Sequence, residues 1–274
     1  LSVVLLFATL ANSAETTQTE FKNASWQLVD SDRSPGSLFM GSNDDTQNPV
    51  AFYRFDETSG SVIDSAGNND GTTSGGVTRG ATGVYGSNAF SFDGTDDVVT
   101  IPDAEELNFD QSDPMTVSVW TKVNASGSLS DGGVDGIVIT DRDISGNPNY
   151  GFQMSVDVID QNTVYPSFGF RDQSGNTNFQ TLNTNIDGEY VHLTLVKYSD
   201  GSGTAYLDGK QVLDLSAVGN ISTPGHPITI GKQNGGGDPL DAEVSEVRIT
   251  DKALSSSQVK ALYNSRSRWS SRVM

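Results

Sequence analysis

The sequence predicts a mainly β protein, a β-sandwich with a short C-terminal helix that is preceded by a hydrophobic α-helix at the N-terminus. From Pro49 onward, short runs of alternating apolar and polar residues are separated by turn-forming residues, which is the pattern of a sandwich. The 29 glycines suit many tight turns between short strands. Helical spacing is confined to the first thirty residues and to the segment after Ser255.

The predicted strands are short and end at turn signals. Asp208-Gly209 stands between two alternating runs and predicts a hairpin with a type I′ turn, which needs positive φ at both central positions. Ser255 and Gln258 form a capping box that starts the C-terminal helix, whose apolar face follows at Val259. The strands are expected at residues 50–55, 89–92, 98–101, 115–123, 150–156, 165–171, 190–197, 204–208, 227–231 and 242–249.

Several longer motifs follow one another in a recognisable order. They are AFYRFDETSGSVIDSAGNNDGT at 51–72, AFSFDGTDDVVTI at 89–101, MTVSVWTKV at 115–123 and HLTLVKYSDGSGTAYLDGKQV at 192–212. This series resembles the laminin-G-like domains, which have a concanavalin A-like jelly-roll fold. The resemblance covers residues 49–266 and implies one jelly-roll domain there, with Trp120 buried in its core.

The N-terminal segment is the most apolar part of the chain. The apolar run at residues 1–14 is shorter than the roughly 20 residues that span a bilayer. Apolar residues continue at helical spacing to Leu28, which predicts a helix over residues 1–29. The residues expected to hold subunits together on this helix are Val3, Leu6, Leu10, Phe21 and Leu28.

This hydropathy pattern resembles the processed N-terminus of type IV pilins, whose helix first lies in the membrane and then packs in the filament core. Leu5 stands where bacterial pilins usually carry glutamate, and archaeal members commonly lack that acid, which favours an archaeal type. An ordinary anchor and a cleaved signal peptide ending at Ala14 remain alternatives. Residues 30–48 are rich in turn formers and read as a linker, and residues 267–274 as a C-terminal tail.

The charge is strongly acidic, with 35 Asp and Glu against 16 Lys and Arg and a net charge of −19. This charge excludes nucleic acid and anionic membrane surfaces as electrostatic partners. The acidic charge favours a surface adapted to high salt. Two alternatives also explain it: acids clustered as calcium ligands, and a surface charge that only keeps the protein soluble. No cysteine is present, and Asn23, Asn124 and Asn220 begin sequons for N-glycosylation.

A calcium site is predicted at the FDGTDD motif. Asp93, Asp96 and Asp97 flank a glycine, and closely spaced carboxylates of this kind provide the oxygen ligands that Ca²⁺ prefers. Laminin-G-like domains often hold calcium with ligands from the opening and closing strands. The resemblance therefore implies further ligands at Asp56, Asp241, Glu243 and Glu246.

No catalytic residues are predicted. Glycosidases of this fold place two carboxylates about 5–5.5 Å apart on one face of a strand. With period-two alternation, Glu243 and Glu246 are expected to point to opposite faces. His192 lies within a strand without a catalytic partner, so we expect a packed side chain.

The sequence thus favours an extracellular, adhesive, non-enzymatic protein at the cell surface. The first hypothesis is a filament subunit that polymerises with its own copies through residues 1–29, enters the membrane before assembly and displays the sandwich to surface glycans or proteins. The alternative is a secreted carbohydrate-binding, lectin-like module with a cleaved signal peptide. Calcium is the one cofactor expected.

Overall fold

The structure is a computed structural model that describes residues 48–125, 134–140, 151–221, 225, 227–232 and 239–267. All of these residues belong to one compact unit that begins at Thr46. The predicted N-terminal helix with its assembly residues, nearly all of the linker 30–48 and of the tail 267–274, and Asn23 lie outside the described residues.

The described residues form fifteen strands, one α-helix and two short 3₁₀ turns. The 3₁₀ turns are Val84–Gly86 and Glu105–Leu107, and the helix is α1 (Ser256–Ser267). The strands are β1 (Ala51–Tyr53), β2 (Thr72–Ser74), β3 (Thr78–Thr82), β4 (Asn88–Asp93), β5 (Val98–Ile101), β6 (Met115–Val123), β7 (Val134–Thr140), β8 (Gly151–Asp160), β9 (Thr163–Arg171), β10 (Gln180–Thr181), β11 (Tyr190–Lys197), β12 (Gly203–Leu207), β13 (Lys210–Leu215), β14 (Ile228–Ile230) and β15 (Asp241–Thr250).

The strands form two antiparallel sheets. Sheet 1 has the order β13-β12-β11-β6-β15-β4-β3, and β1 also pairs with β15. Sheet 2 has the order β10-β9-β8-β7-β14-β5-β2. The mainly β sandwich with a short C-terminal helix is therefore confirmed.

The core lies between the two sheets, where every second residue of a strand points inward. In β6, Val117 and Val119 belong to the core, as do Phe168 and Phe170 in β9. Each such side chain that is fully buried contributes about 1.5–3 kcal/mol. The residues between them point to the opposite side, which we call the outer face of each sheet.

Local turn and cap predictions are confirmed. Asp208 and Gly209 have φ of 52° and 71°, as the type I′ hairpin requires. The Ser255 amide donates to Gln258 Oε1 at 2.8 Å, and the Gln258 amide donates to Ser255 Oγ at 3.4 Å, which completes the capping box.

Helix α1 lies against the outer face of sheet 1. Its buried Val259 packs with Val196 and Tyr206, and Tyr263 stacks on Trp120 with ring centroids 5.5 Å apart. Trp120 is buried as expected, but it lies under this helix and not between the sheets. Val119 and Thr121, the neighbours of Trp120 in β6, point toward the other sheet, so Trp120 points to the outer face. The predicted placement of Trp120 in the core between the sheets is therefore wrong.

Candidate functional site

The acidic motif forms a compact cluster in the turn between β4 and β5, which joins sheet 1 to sheet 2. The carboxylates of Asp93, Asp96 and Asp97 lie within 4.8 Å of one another. Asp97 is buried, and its Oδ2 accepts a hydrogen bond from the Asp93 amide at 3.0 Å. Burial, together with the charges of Asp93 and Asp96, raises the pKa of Asp97.

The second oxygen of Asp97 is the feature that suits a cation. Oδ1 is buried and has no hydrogen-bond partner. An unpartnered buried carboxylate oxygen is costly, and a hard cation coordinated by several oxygens would remove that cost. The residues present therefore fit Ca²⁺.

The other predicted calcium ligands are not part of this group. Asp241 lies directly opposite Asp93 in the pairing of β15 with β4, but its Oδ1 accepts a hydrogen bond from Asn124 Nδ2 at 3.0 Å. Asp56 is exposed. Glu243 and Glu246 lie further along β15, on the outer face of sheet 1.

The two glutamates also differ from expectation in their direction. A bulge between Val244 and Glu246 adds one residue, so Glu243 pairs with Lys122 and Glu246 pairs with Trp120 of β6. Those partners share the outer face, because β6 directs alternate residues outward. The prediction that Glu243 and Glu246 point to opposite faces is therefore wrong.

Each of these glutamates is engaged by a cation on that face. Lys122 Nζ lies 3.6 Å from Glu243 Oε2, and Arg248 Nε lies 2.7 Å from Glu246 Oε1. Arg248 also lies over the ring of Phe52, at 4.0 Å from its centroid. The arrangement is that of structural ion pairs covering the sheet, so sharing a face does not make the glutamates a catalytic pair.

A second candidate site, which the sequence analysis missed, lies on the outer face of sheet 2. Ser155 in β8 pairs with Ser167 in β9, and Ser167 pairs with Thr181 in β10. Thr181 Oγ1 donates to Asp157 Oδ2, and its distance to Ser167 Oγ is 3.4 Å. Hydroxyl and carboxylate groups thus run across three neighbouring strands.

Two hydroxyls on this face are buried without a partner. Ser155 is 1% exposed and Thr229 in β14 is 2% exposed. Neither Ser155 Oγ nor Thr229 Oγ1 makes a hydrogen bond. Buried polar atoms in native proteins are nearly always paired, so each of these needs an explanation, and a ligand is one.

An aromatic ring stands at the edge of the same face. Phe179 is 39% exposed and rests on Gly169, where an added Cβ would lie 2.3 Å from Phe179 Cδ1. Gly169 pairs with Gln153 of β8, which brings an amide to the same row. We call this surface the sheet-2 polar face; it consists of Gln153, Ser155, Asp157, Ser167 and Thr229, with Phe179 at its edge.

The sequence carried a signal for part of this face. In β8, Gln153, Ser155 and Asp157 alternate with core residues such as Met154 and Val156. That alternation identifies outward polar side chains. It does not reveal that one of them is buried and unpaired, because this depends on the neighbouring strands.

The sequons differ in accessibility where they are described. Asn220 is exposed, and its Nδ2 donates to Gln173 Oε1 at 2.7 Å. Asn124 is half-buried and holds Asp241. Glycosylation thus stays a prediction, with Asn220 the more accessible position of the two.

Comparison with solved structures places the fold among toxin binding domains. The binding domain of Paraclostridial mosquitocidal protein 1 superimposes with a TM-score of 0.63 at 18% identity, over 80% of this chain and 52% of that one. The serotype D botulinum neurotoxin ligand binding domain, in complex with N-acetylneuraminic acid, gives 0.61 at 12% identity over 80% and 51%. Type C botulinum neurotoxin, whose cell entry depends on two ganglioside molecules, gives 0.61 at 15% over 81% and 52%.

The chain therefore spans about half the length of these structures, and such identities show the fold alone. No curated protein shows a significant match to the chain. In the described part of the chain, no helix combines the length and the apolar character needed to cross a membrane. Residues 93–260 match the Laminin_G_3 family model. The chain belongs to this family of the concanavalin A-like lectin/glucanases superfamily.

Proposed function

We propose that this chain is a non-catalytic, lectin-type domain that binds glycans on the sheet-2 polar face. The observation that carries the proposal is the pair of unpartnered buried hydroxyls, Ser155 Oγ and Thr229 Oγ1. A hydroxyl both donates and accepts, so a sugar hydroxyl is a matching partner for each. Because both oxygens are buried, pairing requires the groups that cover them to move aside on binding, and it would then recover about 1–3 kcal/mol for each hydroxyl.

The rest of the face supports the same ligand class. Binding sites combine apolar or aromatic surface with a few polar groups that fix orientation. Here Phe179 offers an exposed ring that can cover the apolar side of a sugar, and Asp157 and Gln153 offer an acceptor and an amide. The structural neighbours described with N-acetylneuraminic acid and gangliosides support a glycan, although the chain matches only half of each.

The proposal is tested with the full chain on a glycan array, followed by calorimetry with the best glycan. Phe179→Ala and Ser155→Ala should each weaken binding about tenfold, which corresponds to about 1.4 kcal/mol. Ile63→Ala, which removes an exposed apolar side chain from the loop between β1 and β2, is the matched control and should bind normally. Absence of any bound glycan, or equal affinity in all variants, would disprove it.

We also propose that the acidic cluster binds Ca²⁺ and stabilises the turn between the two sheets. Asp93, Asp96 and Asp97 would supply carboxylate oxygens, and the unpartnered Oδ1 of Asp97 supports this assignment. The role is structural, because the cluster lies at the end of β4 while the unpaired hydroxyls lie within β8 and β14. Glycan binding and calcium binding are thus separable.

Display at the cell surface, as a filament subunit or as a secreted module, is a further proposal. It is supported by the helical spacing of residues 1–29, which lie outside the described residues. A filament subunit should polymerise as the full chain and become monomeric when truncated to begin at Pro49 or when Leu6→Asp or Leu10→Asp is introduced. Polymerisation of the truncated chain would place the contacts in the sandwich and contradict the filament hypothesis.

A further inference from the structure

His192 is a buried titratable side chain that lies beneath helix α1. It is 3% exposed, and its ring centroid lies 4.9 Å from that of Trp120 and 6.1 Å from that of Tyr263. Its Nδ1 lies 3.4 Å from the hydroxyl of Thr194, which carries no charge. Aromatic rings and a hydroxyl suit a neutral imidazole, whereas burying a charged imidazole among them costs free energy.

The charged groups on the sheet around His192 are already engaged. Glu246 Oε1 of β15 lies 2.7 Å from Arg248 Nε, and the two side chains shift the pKa of His192 in opposite directions. Asp208, in the turn between β12 and β13, accepts a hydrogen bond from the His192 amide through Oδ1 at 2.9 Å. An imidazolium here would therefore compete with Arg248 for Glu246, and with a backbone amide for Asp208.

Helix α1 brings positive charge and no carboxylate to this position. Its sequence, SSQVKALYNSRS, contains two cations and no acid. Lys260 Nζ lies 4.5 Å from the Tyr263 ring centroid and donates to the Asp208 carbonyl at 3.4 Å. Tyr263 stays neutral at acid pH, because burial, followed by the charge of Asp208, raises its pKa. A positive charge on His192 would therefore be repelled by the helix that covers it.

The two ends of α1 are attached to sheet 1 in different ways. Just before the helix begins, the Leu254 amide donates to Thr116 Oγ1 at 3.1 Å. Beyond the middle of the helix, Tyr263 stacks on Trp120, next to His192. The start is thus held by a hydrogen bond to β6, and the part from Tyr263 onward is held by ring contacts beside the titratable group.

The apolar contacts under α1 are also separate from the core of the sandwich. Val196, Tyr206, Leu254 and Val259 form a small buried cluster of their own, apart from the large cluster between the sheets. Opening a small peripheral cluster costs less free energy than unfolding a whole domain. Charging His192 should therefore act first on the helix and leave the two sheets paired.

We propose that α1 is an acid-sensitive cover, which detaches from Tyr263 onward when His192 is protonated and exposes Trp120 on the outer face of sheet 1. Acidification then creates an aromatic surface that stays covered while the imidazole is neutral. This device does not depend on glycan binding, which is proposed for the other sheet.

The direction of the pH effect follows from the two states of the helix. With α1 closed, burial lowers the pKa of His192 to about 4, while Glu246 opposes this shift and Arg248 adds to it. With α1 open, the ring returns to an ordinary pKa of about 6.5. The closed helix is therefore fully favoured above the second value and loses stability as the pH falls toward the first. Linkage between the two values increases the opening equilibrium about fiftyfold from about pH 7 to about pH 4.5.

Hydrogen–deuterium exchange of the full chain, read by mass spectrometry, tests the cover. Protection factors in α1, corrected for the intrinsic exchange rate, should fall about fiftyfold between about pH 7 and about pH 4.5. At the lower pH, about 1 M urea should accelerate exchange in β9 of sheet 2 but not in α1, because local opening exposes little surface. Equal protection and equal urea dependence in α1 and β9 would mean that the helix opens only when the domain unfolds, which overturns the proposal.

His192→Gln removes the titrating group and should reduce the pH response of α1 to less than about threefold. His226→Gln, which changes the other histidine of the chain, is the matched control and should keep the full response. A response in His192→Gln equal to that of the wild type would assign the opening to carboxylates and overturn the proposal.

A measurement on the wild-type chain decides the question even if His192→Gln does not fold. NMR with ¹³C in the histidine rings follows the two imidazoles separately, and His226→Gln assigns them. The His192 ring should titrate well below its ordinary pKa of about 6.5, with α1 losing protection over the same range. Titration at the ordinary pKa with α1 still protected would show that the helix tolerates the imidazolium, which rules the switch out.

Discussion

The outer faces of the two sheets are built from similar strands, but they differ in whether their polar groups have partners within the protein. On sheet 1, charged groups pair within the face, as Glu246 does with Arg248, and helix α1 covers Trp120 and His192. On sheet 2, Ser155 and Thr229 bury hydroxyls that have no partner. Sheet 1 also buries one oxygen without a hydrogen bond, Glu243 Oε2, but Lys122 Nζ lies 3.6 Å from it and balances its charge, whereas the two sheet-2 hydroxyls have no partner of either kind.

The difference teaches where to look for function in a sandwich with no catalytic motif. Satisfied polar groups contribute to stability, whereas unsatisfied ones lower it and are retained when something else pairs with them. Sheet 1 should therefore respond to mutation mainly through stability. Sheet 2 should respond mainly through binding.

The largest effect is expected for Trp120→Ala. The variant loses the stack with Tyr263 and leaves a cavity under α1, and such substitutions cost about 3–5 kcal/mol. A loss of that size lowers Tm by roughly 2–4 °C per kcal/mol in a domain of this size, which thermal melts will detect. Phe179→Ala on the other sheet is the control and should change Tm little, because its ring is partly exposed. Equal losses in the two variants would contradict the distinction between the faces.

His192 gives sheet 1 a pH dependence. Burial lowers the pKa of His192 to about 4, while Glu246 opposes this shift and Arg248 adds to it. The folded state thus prefers the neutral ring. The contribution of His192 to the free energy of unfolding is therefore full above pH 6.5 and is lost as the pH falls from about 6.5 to 4. The loss is on the order of 3 kcal/mol.

Melts between pH 4 and 7 measure this effect. His192→Gln cannot titrate, so its Tm should fall less steeply than that of the wild type over this range. Tyr263 also packs near the imidazole, at 6.1 Å between centroids, but it does not titrate in this range. If the Tm of both proteins fell equally with pH, protonation of carboxylates, and not of His192, would account for the loss of stability at acid pH.

The turn between the sheets is expected to show a calcium effect of intermediate size. A ligand that binds only the folded state stabilises it by about 2.7 kcal/mol at a hundredfold excess over Kd. Chelation should therefore lower Tm, and Asp97→Asn should remove the difference between calcium and chelator. Asp56→Asn, an exposed acid outside the cluster, is the matched control. Identical melts with calcium and with chelator would leave the cluster as a turn former.

Much of the fold was predictable because the core strands alternate strongly. Strands such as β6 and β11 carry valine and leucine at every second position, and their predicted bounds match the structure. Five strands lie outside the predicted ranges: β2, β3, β7, β10 and β13. Four of them are at sheet edges, whereas β7 is central in sheet 2 and its alternation is interrupted by Gly136. A strand at the edge of a sheet is largely in contact with water, so its sequence does not need to alternate apolar and polar residues. Such a strand therefore lacks the pattern from which strands are predicted.

The site was less predictable, because it depends on neighbouring strands. The proximity of Asp93, Asp96 and Asp97 follows from sequence distance. The bulge that turns Glu246 to the face of Glu243 depends on how β15 pairs with β6. The missing partner of Thr229 likewise depends on three-dimensional packing. Local patterns therefore indicate which residues are polar and outward, but not which of them lack a partner.

The smallest effect, and the one that separates the two faces most directly, is expected for Thr229→Val. Valine has the same branched shape, so packing and side-chain entropy are kept while the unpartnered Oγ1 is removed. Stability should rise by about 1 kcal/mol, since a buried hydroxyl without a partner costs about 1–3 kcal/mol. Glycan affinity should fall, because the same hydroxyl is proposed to meet the ligand.

Thr100→Val is the matched control: Thr100 pairs with Thr229 across β5 and β14 but is only half-buried, so water can satisfy it. Chemical denaturation and calorimetry measure the two quantities. A rise in stability with unchanged affinity would place the ligand elsewhere, and a fall in stability would show that Oγ1 has a partner after all.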